Sequence, residues 1–152
     1  MINEIIKKII ESGLSISFAE SMTGGSLASA FTKIPGSSNV FKGSFVTYSD
    51  EYKTKFLGVK KKTITKFGVV SNEVALEMIK GLKKKTKADI LVSVTGNAGP
   101  STCDNKESIG KVFVGLSIKN SETVFELNLK GSREEIINAT VEFAFIKINE
   151  NI

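Results

Sequence analysis

The 152-residue sequence contains no histidine, no tryptophan, one cysteine and two prolines. Without histidine there is no Ser-His-Asp triad, no Cys-His pair and no imidazole metal ligand. The lone Cys103 can form neither an intramolecular disulfide nor a thiolate zinc cage. A single cysteine and an N-terminus unlike a signal peptide suit a reducing, cytoplasmic setting. The longest apolar runs, such as Ile90 to Val94, are far too short to cross a membrane, so no membrane partner is expected. Arginine is nearly absent as well: one residue, Arg133, against 20 lysines. Any hydrolytic chemistry must therefore use Ser, Thr, Lys, Tyr, Asp or Glu, and neither a metal nor a cofactor is expected.

What remains is a globular composition, 41% hydrophobic and 24% charged, of a length that fits one domain over residues 1–152. The net charge of +5 is uneven. Residues 51–87 hold 11 lysines and 3 glutamates, a local net of +8, whereas residues 120–152 carry a net of −3. A basic surface can attract nucleotides or nucleic acid. No arginine or aromatic is interleaved in the clusters Lys60-Lys61-Lys62 and Lys83-Lys84-Lys85, however, and nucleic-acid grooves usually need them. Nucleic acid is thus an unlikely partner, and most of these lysines read as solvated surface.

Ile2, Ile5, Ile6, Ile9 and Ile10 recur at helical spacing and predict a helix over about 2–12. A strand over 15–19 leads through Gly24-Gly25 into a second helix. Residues 41–48 alternate as a strand. Short helical pieces follow near 50–57 and 61–66, and Ser71 is placed to cap a longer helix. Residues 89–95 read as a central strand. Strands over 111–118 and 123–129 flank a tight 119–122 turn, which suggests an antiparallel hairpin. Ser132 and Glu135 form a capping box for the last helix. Early alternation of helices and strands and a late hairpin imply an α/β fold with a mixed sheet covered on both faces.

Four places have unusual content. In Glu20-Ser21-Met22-Thr23-Gly24-Gly25 a serine stands at a strand-to-helix turn, near amides expected to be free. The alternative is a plain N-cap serine followed by a glycine turn. In Tyr48-Ser49-Asp50-Glu51-Tyr52-Lys53 a tyrosine ends a strand and a lysine begins a helix. With no histidine available, a neutral lysine is the best base for a serine hydroxyl. Thr95-Gly96-Asn97-Ala98-Gly99-Pro100 follows the most apolar strand, where open α/β sheets bind ligands, or is an ordinary glycine-rich turn. Gly131-Ser132-Arg133 sets the sole arginine at a helix start, which suits phosphate or carboxylate or is simply exposed surface.

Taken in order and spacing, seven stretches carry a resemblance. They are Ala19-Glu20-Ser21-Met22-Thr23-Gly24-Gly25, Pro35-Gly36-Ser37-Ser38, Val46-Thr47-Tyr48-Ser49-Asp50-Glu51-Tyr52-Lys53, Leu57-Gly58-Val59, Gly68-Val69-Val70-Ser71, Val94-Thr95-Gly96-Asn97-Ala98-Gly99-Pro100 and Gly131-Ser132-Arg133-Glu134. Together they resemble the CinA C-terminal domain family of nicotinamide mononucleotide amidohydrolases. The resemblance implies a three-layer α/β/α sandwich with a five-stranded mixed, mostly parallel sheet. It implies an amidase of Ser–Lys type, with Ser21 as nucleophile, Lys53 as general base and Tyr48 as a hydroxyl partner in the same network. Ser38, Thr95 and Arg133 match further active-site positions, and Thr23, Gly24 and Gly96 lie in the matching motifs as substrate contacts. The implied partner is a small nucleotide, and members usually form homo-oligomers. The alternative is a catalytically weakened nucleotide-binding or interaction module of the same fold. Three features depart from the pattern: Met22 stands where cysteine is typical, Asn97 where isoleucine is usual, and residues 101–108 lack the usual glycines and proline.

Overall fold

The computed structural model describes residues 1–102 and 108–152. The expected feature at Cys103 and most of the atypical 101–108 loop lie outside the described residues. In chain order the elements are α1 (Ile2–Glu11), β1 (Ile16–Glu20), α2 (Ser26–Thr32), a 3-10 turn (Ser37–Asn39), β2 (Phe41–Val46), α3 (Asp50–Leu57), α4 (Lys61–Phe67), α5 (Asn72–Thr86), β3 (Ile90–Gly96), β4 (Lys111–Ile118), β5 (Ser121–Asn128) and α6 (Arg133–Glu150). Three helices separate β2 from β3, at the 50–57, 61–66 and Ser71-capped segments where the sequence places helical pieces. Gly58, left-handed at φ 70°, ends α3, and its N–H returns to Thr54 O. The chain must then restart at Lys60 as a separate helix.

The sheet order is β2-β1-β3-β4-β5. β1 pairs in parallel with β2 and β3, whereas β4 pairs antiparallel with β3 and β5. Only β4 therefore runs against the others. The architecture is the α/β, five-stranded mixed sheet that the sequence implied.

Alternation along the strands assigns the two layers. In β3 the side chains of Ile90, Val92 and Val94 pack with Phe18 of β1 and with residues of α1, α2 and α6. Leu91 faces the opposite way, with Val74, Met78 and Ile79 of α5. On that second face two buried hydroxyls meet backbone acceptors, as burial demands. Ser93 donates to Ala75 O and Thr95 to Val69 O, both at 2.8 Å. β1 begins one residue later than expected, and β2 ends two residues earlier, at Val46. The 119–120 turn is tighter than expected because Lys119 and Asn120 both take positive φ, 53° and 65°. Two such central residues match the right-handed strand twist and let β5 start at Ser121.

Capping follows the sequence closely. Ser71 accepts from Val74 N, and Ser132 with Glu135 closes the capping box of α6. α5 then descends from its capped end across the back of β3 and β4, and α3 lies beside it.

Candidate active site

The site forms at the C-terminal edge of the parallel strands, where chain ends turn away from the sheet. β1 ends at Glu20, and the 21–25 turn carries Ser21 before α2 begins. β2 ends opposite, with Val46 in register with Glu20. Thr47 N then bonds Glu20 O at 2.8 Å, which brings the β2–α3 connection beside Ser21. Ser49 caps α3 by accepting from Tyr52 N, and Lys53 follows one turn in.

This construction places the Lys53 Nζ 2.9 Å from the Ser21 Oγ. Both residues are buried, Lys53 at 1% exposure and Ser21 at 7%. The same amine donates to Thr47 O at 2.9 Å and lies 3.5 Å from Tyr48 O. Its head reaches the turn that follows β1. Serine and amine are thus in direct hydrogen-bond contact, the arrangement a lysine base requires.

The other predicted residues divide. The Tyr48 side chain is exposed, and its hydroxyl accepts from Arg133 Nη2 at 2.7 Å, while only its backbone carbonyl approaches Lys53. Arg133 Nη1 donates to Gly99 O at 2.6 Å, so the guanidinium ties the β3–β4 connection to the β2–α3 connection. Thr23 is buried and donates to Glu20 Oε1 at 2.8 Å. Gly24, at φ 57°, closes the turn through its N–H to Ser21 O at 3.0 Å. Gly96 ends β3 so close to Val112 that a Cβ would lie 2.7 Å from a valine methyl. Thr95 is buried with its hydroxyl directed at Val69 O, on the α5 side of the sheet.

Ser38 is not brought to Ser21 within this chain. It is exposed on the 3-10 turn before β2. Val40 O from that turn accepts from Ile16 N, at the start of β1, whereas Ser21 follows the end of β1. The two serines stand at opposite ends of the parallel strands.

The amides at the start of α2 are not free, contrary to expectation. Leu27 N and Ala28 N both bond the Glu20 carboxylate, and Ser26 N bonds Thr23 O. The N-cap is Gly25, not Ser21. Glu20 is the residue that the sequence reading passed over. Its signal was parity: it shares a strand face with Ile16 and Phe18, and an acid at an inward position is unusual. At α6, Ser132 N and then the Ser132 hydroxyl hold the Glu135 carboxyl below the usual carboxylate range.

A family model for the CinA C-terminal domain matches residues 1–152. The chain belongs to the CinA C-terminal domain family. It is 47% identical over 140 residues to a CinA-like protein of Petrotoga mobilis, covering 92% of this chain and 35% of that protein. It is 46% identical over 136 residues to a CinA-like protein of Endomicrobium trichonymphae, covering 90% and 32%. The chain thus spans about a third of the length of the curated relatives it matches. Among solved structures, it superposes on the competence/damage inducible protein CihA from Agrobacterium tumefaciens with a TM-score of 0.91 and 38% identity, covering 97% of this chain and 93% of that one. A CinA superfamily protein from Escherichia coli gives a TM-score of 0.94 at 28% identity, covering 100% and 91%. The CinA fold therefore also occurs in chains of about this length. Among the described residues, no helix is long and apolar enough to cross a membrane.

Proposed function

We propose that this CinA domain is a Ser–Lys amidase that hydrolyses nicotinamide mononucleotide to nicotinic acid mononucleotide and ammonia. The observation that carries this reading is the 2.9 Å contact between the Lys53 amine and the Ser21 hydroxyl, both screened from solvent.

As a neutral amine, Lys53 offers two N–H bonds and one lone pair. The amine lies within 3.5 Å of Ser21 Oγ, Thr47 O and Tyr48 O, and in the reaction its lone pair accepts the Ser21 proton. Burial disfavours a charged ammonium, which favours this form. Ser21 Oγ then bonds the carboxamide carbon as its proton moves to Lys53. Collapse of the tetrahedral adduct breaks the C–N bond, and Lys53 returns the proton to the departing nitrogen as ammonia. A water molecule, deprotonated by Lys53, attacks the resulting ester; the carbon–Oγ bond breaks, Lys53 returns the proton to Ser21 Oγ, and the carboxylic acid is freed. The pyridinium charge withdraws electrons from the carboxamide and eases the first attack.

Because α2's first amides are engaged by Glu20 and Thr23, oxyanion stabilisation falls to amides of the 21–25 turn itself rather than to the helix. Arg133 stays exposed at the rim while Gly99 O and Tyr48 fix its plane, so it is the side chain assigned to the ribose phosphate. In this reading residues 1–152 act as one domain in the cytoplasm, as a homo-oligomer, with protein groups alone carrying the chemistry.

The test is ammonia release from nicotinamide mononucleotide by the wild type and Ser21→Ala side by side. Release by the wild type and none by the variant is the expected result. Full activity in Ser21→Ala would remove Ser21 from the mechanism. Calorimetric binding of the mononucleotide without product would favour a nucleotide-binding module instead.

A further inference from the structure

Glu20 is a buried acid for which the proposed reaction has no chemical use. It ends β1 at 0% exposure, on the face that packs Ile16 and Phe18 against α2 and α6. A carboxyl in such a place is costly unless its oxygens are fully met. Four donors meet them. Oε1 accepts the Thr23 hydroxyl at 2.8 Å and the Leu27 amide at 2.9 Å. Oε2 accepts the Ala28 amide at 3.2 Å and the Ser44 hydroxyl at 2.7 Å.

These donors belong to three different segments. Thr23 lies in the turn that carries Ser21, Leu27 and Ala28 open α2, and Ser44 lies on β2. Gly25, the N-cap of α2, has no side chain to cap with, and Glu20 takes that task from upstream in the chain. Ser21 is the next residue after Glu20, and Thr23 follows two later. Both ends of the stretch that holds the serine are therefore anchored to one carboxylate.

We infer that Glu20 is the positioning residue for Ser21: its carboxylate locks the 21–25 turn to α2 and β2 and so holds the Ser21 hydroxyl within reach of Lys53. The effect on turnover rests on the Ser–Lys reading, whereas the effect on placement does not. A misplacement of about 1 Å can cost roughly 100-fold in rate, so a modest slackening of the turn is enough to be measured.

Glu20→Gln keeps the shape and removes an acceptor. Each carboxylate oxygen serves one backbone amide, so either orientation of the glutamine sets its NH2 against the N–H of Leu27 or of Ala28. Two readouts are taken. The first, without substrate, is the side-chain 15N resonance of Lys53, with Ser21→Ala as the reference for a lost contact. The expected result is a shift in Glu20→Gln towards that reference. The second is turnover of nicotinamide mononucleotide, with kcat lowered at least about tenfold and KM held within about threefold. Ser44→Ala removes one hydroxyl donor and spares both amides, so it shifts the resonance the same way but less. It carries the test if Glu20→Gln does not fold. A purely structural role would lower the melting temperature and leave the Lys53 resonance where it is, and that outcome overturns the inference. A wild type that releases no ammonia, with the resonance shift present, refutes the amidase reading and leaves Glu20 as the positioning residue.

Discussion

The Arg133 guanidinium donates to the Tyr48 hydroxyl at 2.7 Å, across 85 residues of sequence. That bond, with the one to Gly99 O, ties the start of α6 to the β2–α3 and β3–β4 connections. In Tyr48→Phe the ring stays and the acceptor goes. KM for the mononucleotide should rise several-fold with little change in kcat, because Arg133 loses its orientation and Lys53 keeps its contacts. Arg133→Ala should raise KM further, and the double variant should be no worse than Arg133→Ala alone. A double-mutant cycle in kcat/KM should show coupling on the order of 1 kcal/mol. Strict additivity would mean that the two residues act independently.

Lys53→Met should abolish turnover at neutral pH, with a loss of several orders of magnitude, as expected when a unique base is removed. Methionine has similar length and no charge to desolvate, so the protein should still fold. Circular dichroism and single-turnover ammonia release check the two halves.

Gly81 sits in the middle of α5, where alanine would ordinarily favour the helix by about 1 kcal/mol. Here the added Cβ would collide with the Leu57 carbonyl at the end of α3. Gly81→Ala should therefore destabilise the protein by about 1–3 kcal/mol in spite of its propensity, as overpacking does. It should also lower kcat, since α3 carries Lys53 and has to move. Urea denaturation and initial-rate kinetics on the same sample test both effects.

The α6 cap supplies a pH signature. The folded Glu135 carboxyl titrates below its ordinary value of 4.5, held down by Ser132. A group lowered in the folded state contributes stability that is complete above its unfolded value and is lost as the pH falls through the folded one. The melting-temperature gap between wild type and Glu135→Ala should thus be full at neutral pH and shrink below about pH 4. A gap that stays constant into acid would show that the carboxylate charge plays no part.

How much of this was legible before the structure depends on the range of each signal. α1 and α5 were readable because their apolar residues repeat at helical spacing, and the caps at Ser71 and Ser132 because each bonds an amide only three residues on. β3 was readable as central because all seven of its residues are apolar or small enough to bury. The Ser21–Lys53 contact spans 32 residues, and no local pattern encodes it; it was reached only through the family resemblance. The separation of α3 from α4 was legible at Gly58, whose left-handed backbone ends α3. The engaged amides of α2 were missed because Glu20 was read as part of a motif and not as an acid on an apolar strand face. Ser38 was placed by the resemblance at the site, while the strand register puts it at the other end of the sheet.

Ser21, Lys53 and Arg133 come from the first, middle and last parts of the chain, and the Lys53–Ser21 and Arg133–Tyr48 bonds cross 32 and 85 residues of sequence. A fragment without α6 lacks Arg133, and one without β1 lacks the strand that leads into Ser21. In the amidase reading, catalytic competence is therefore expected only once the whole fold is in place. Recovery of ammonia release after dilution from denaturant becomes a clock for the complete fold, and it should lag behind any probe that sees the helices alone.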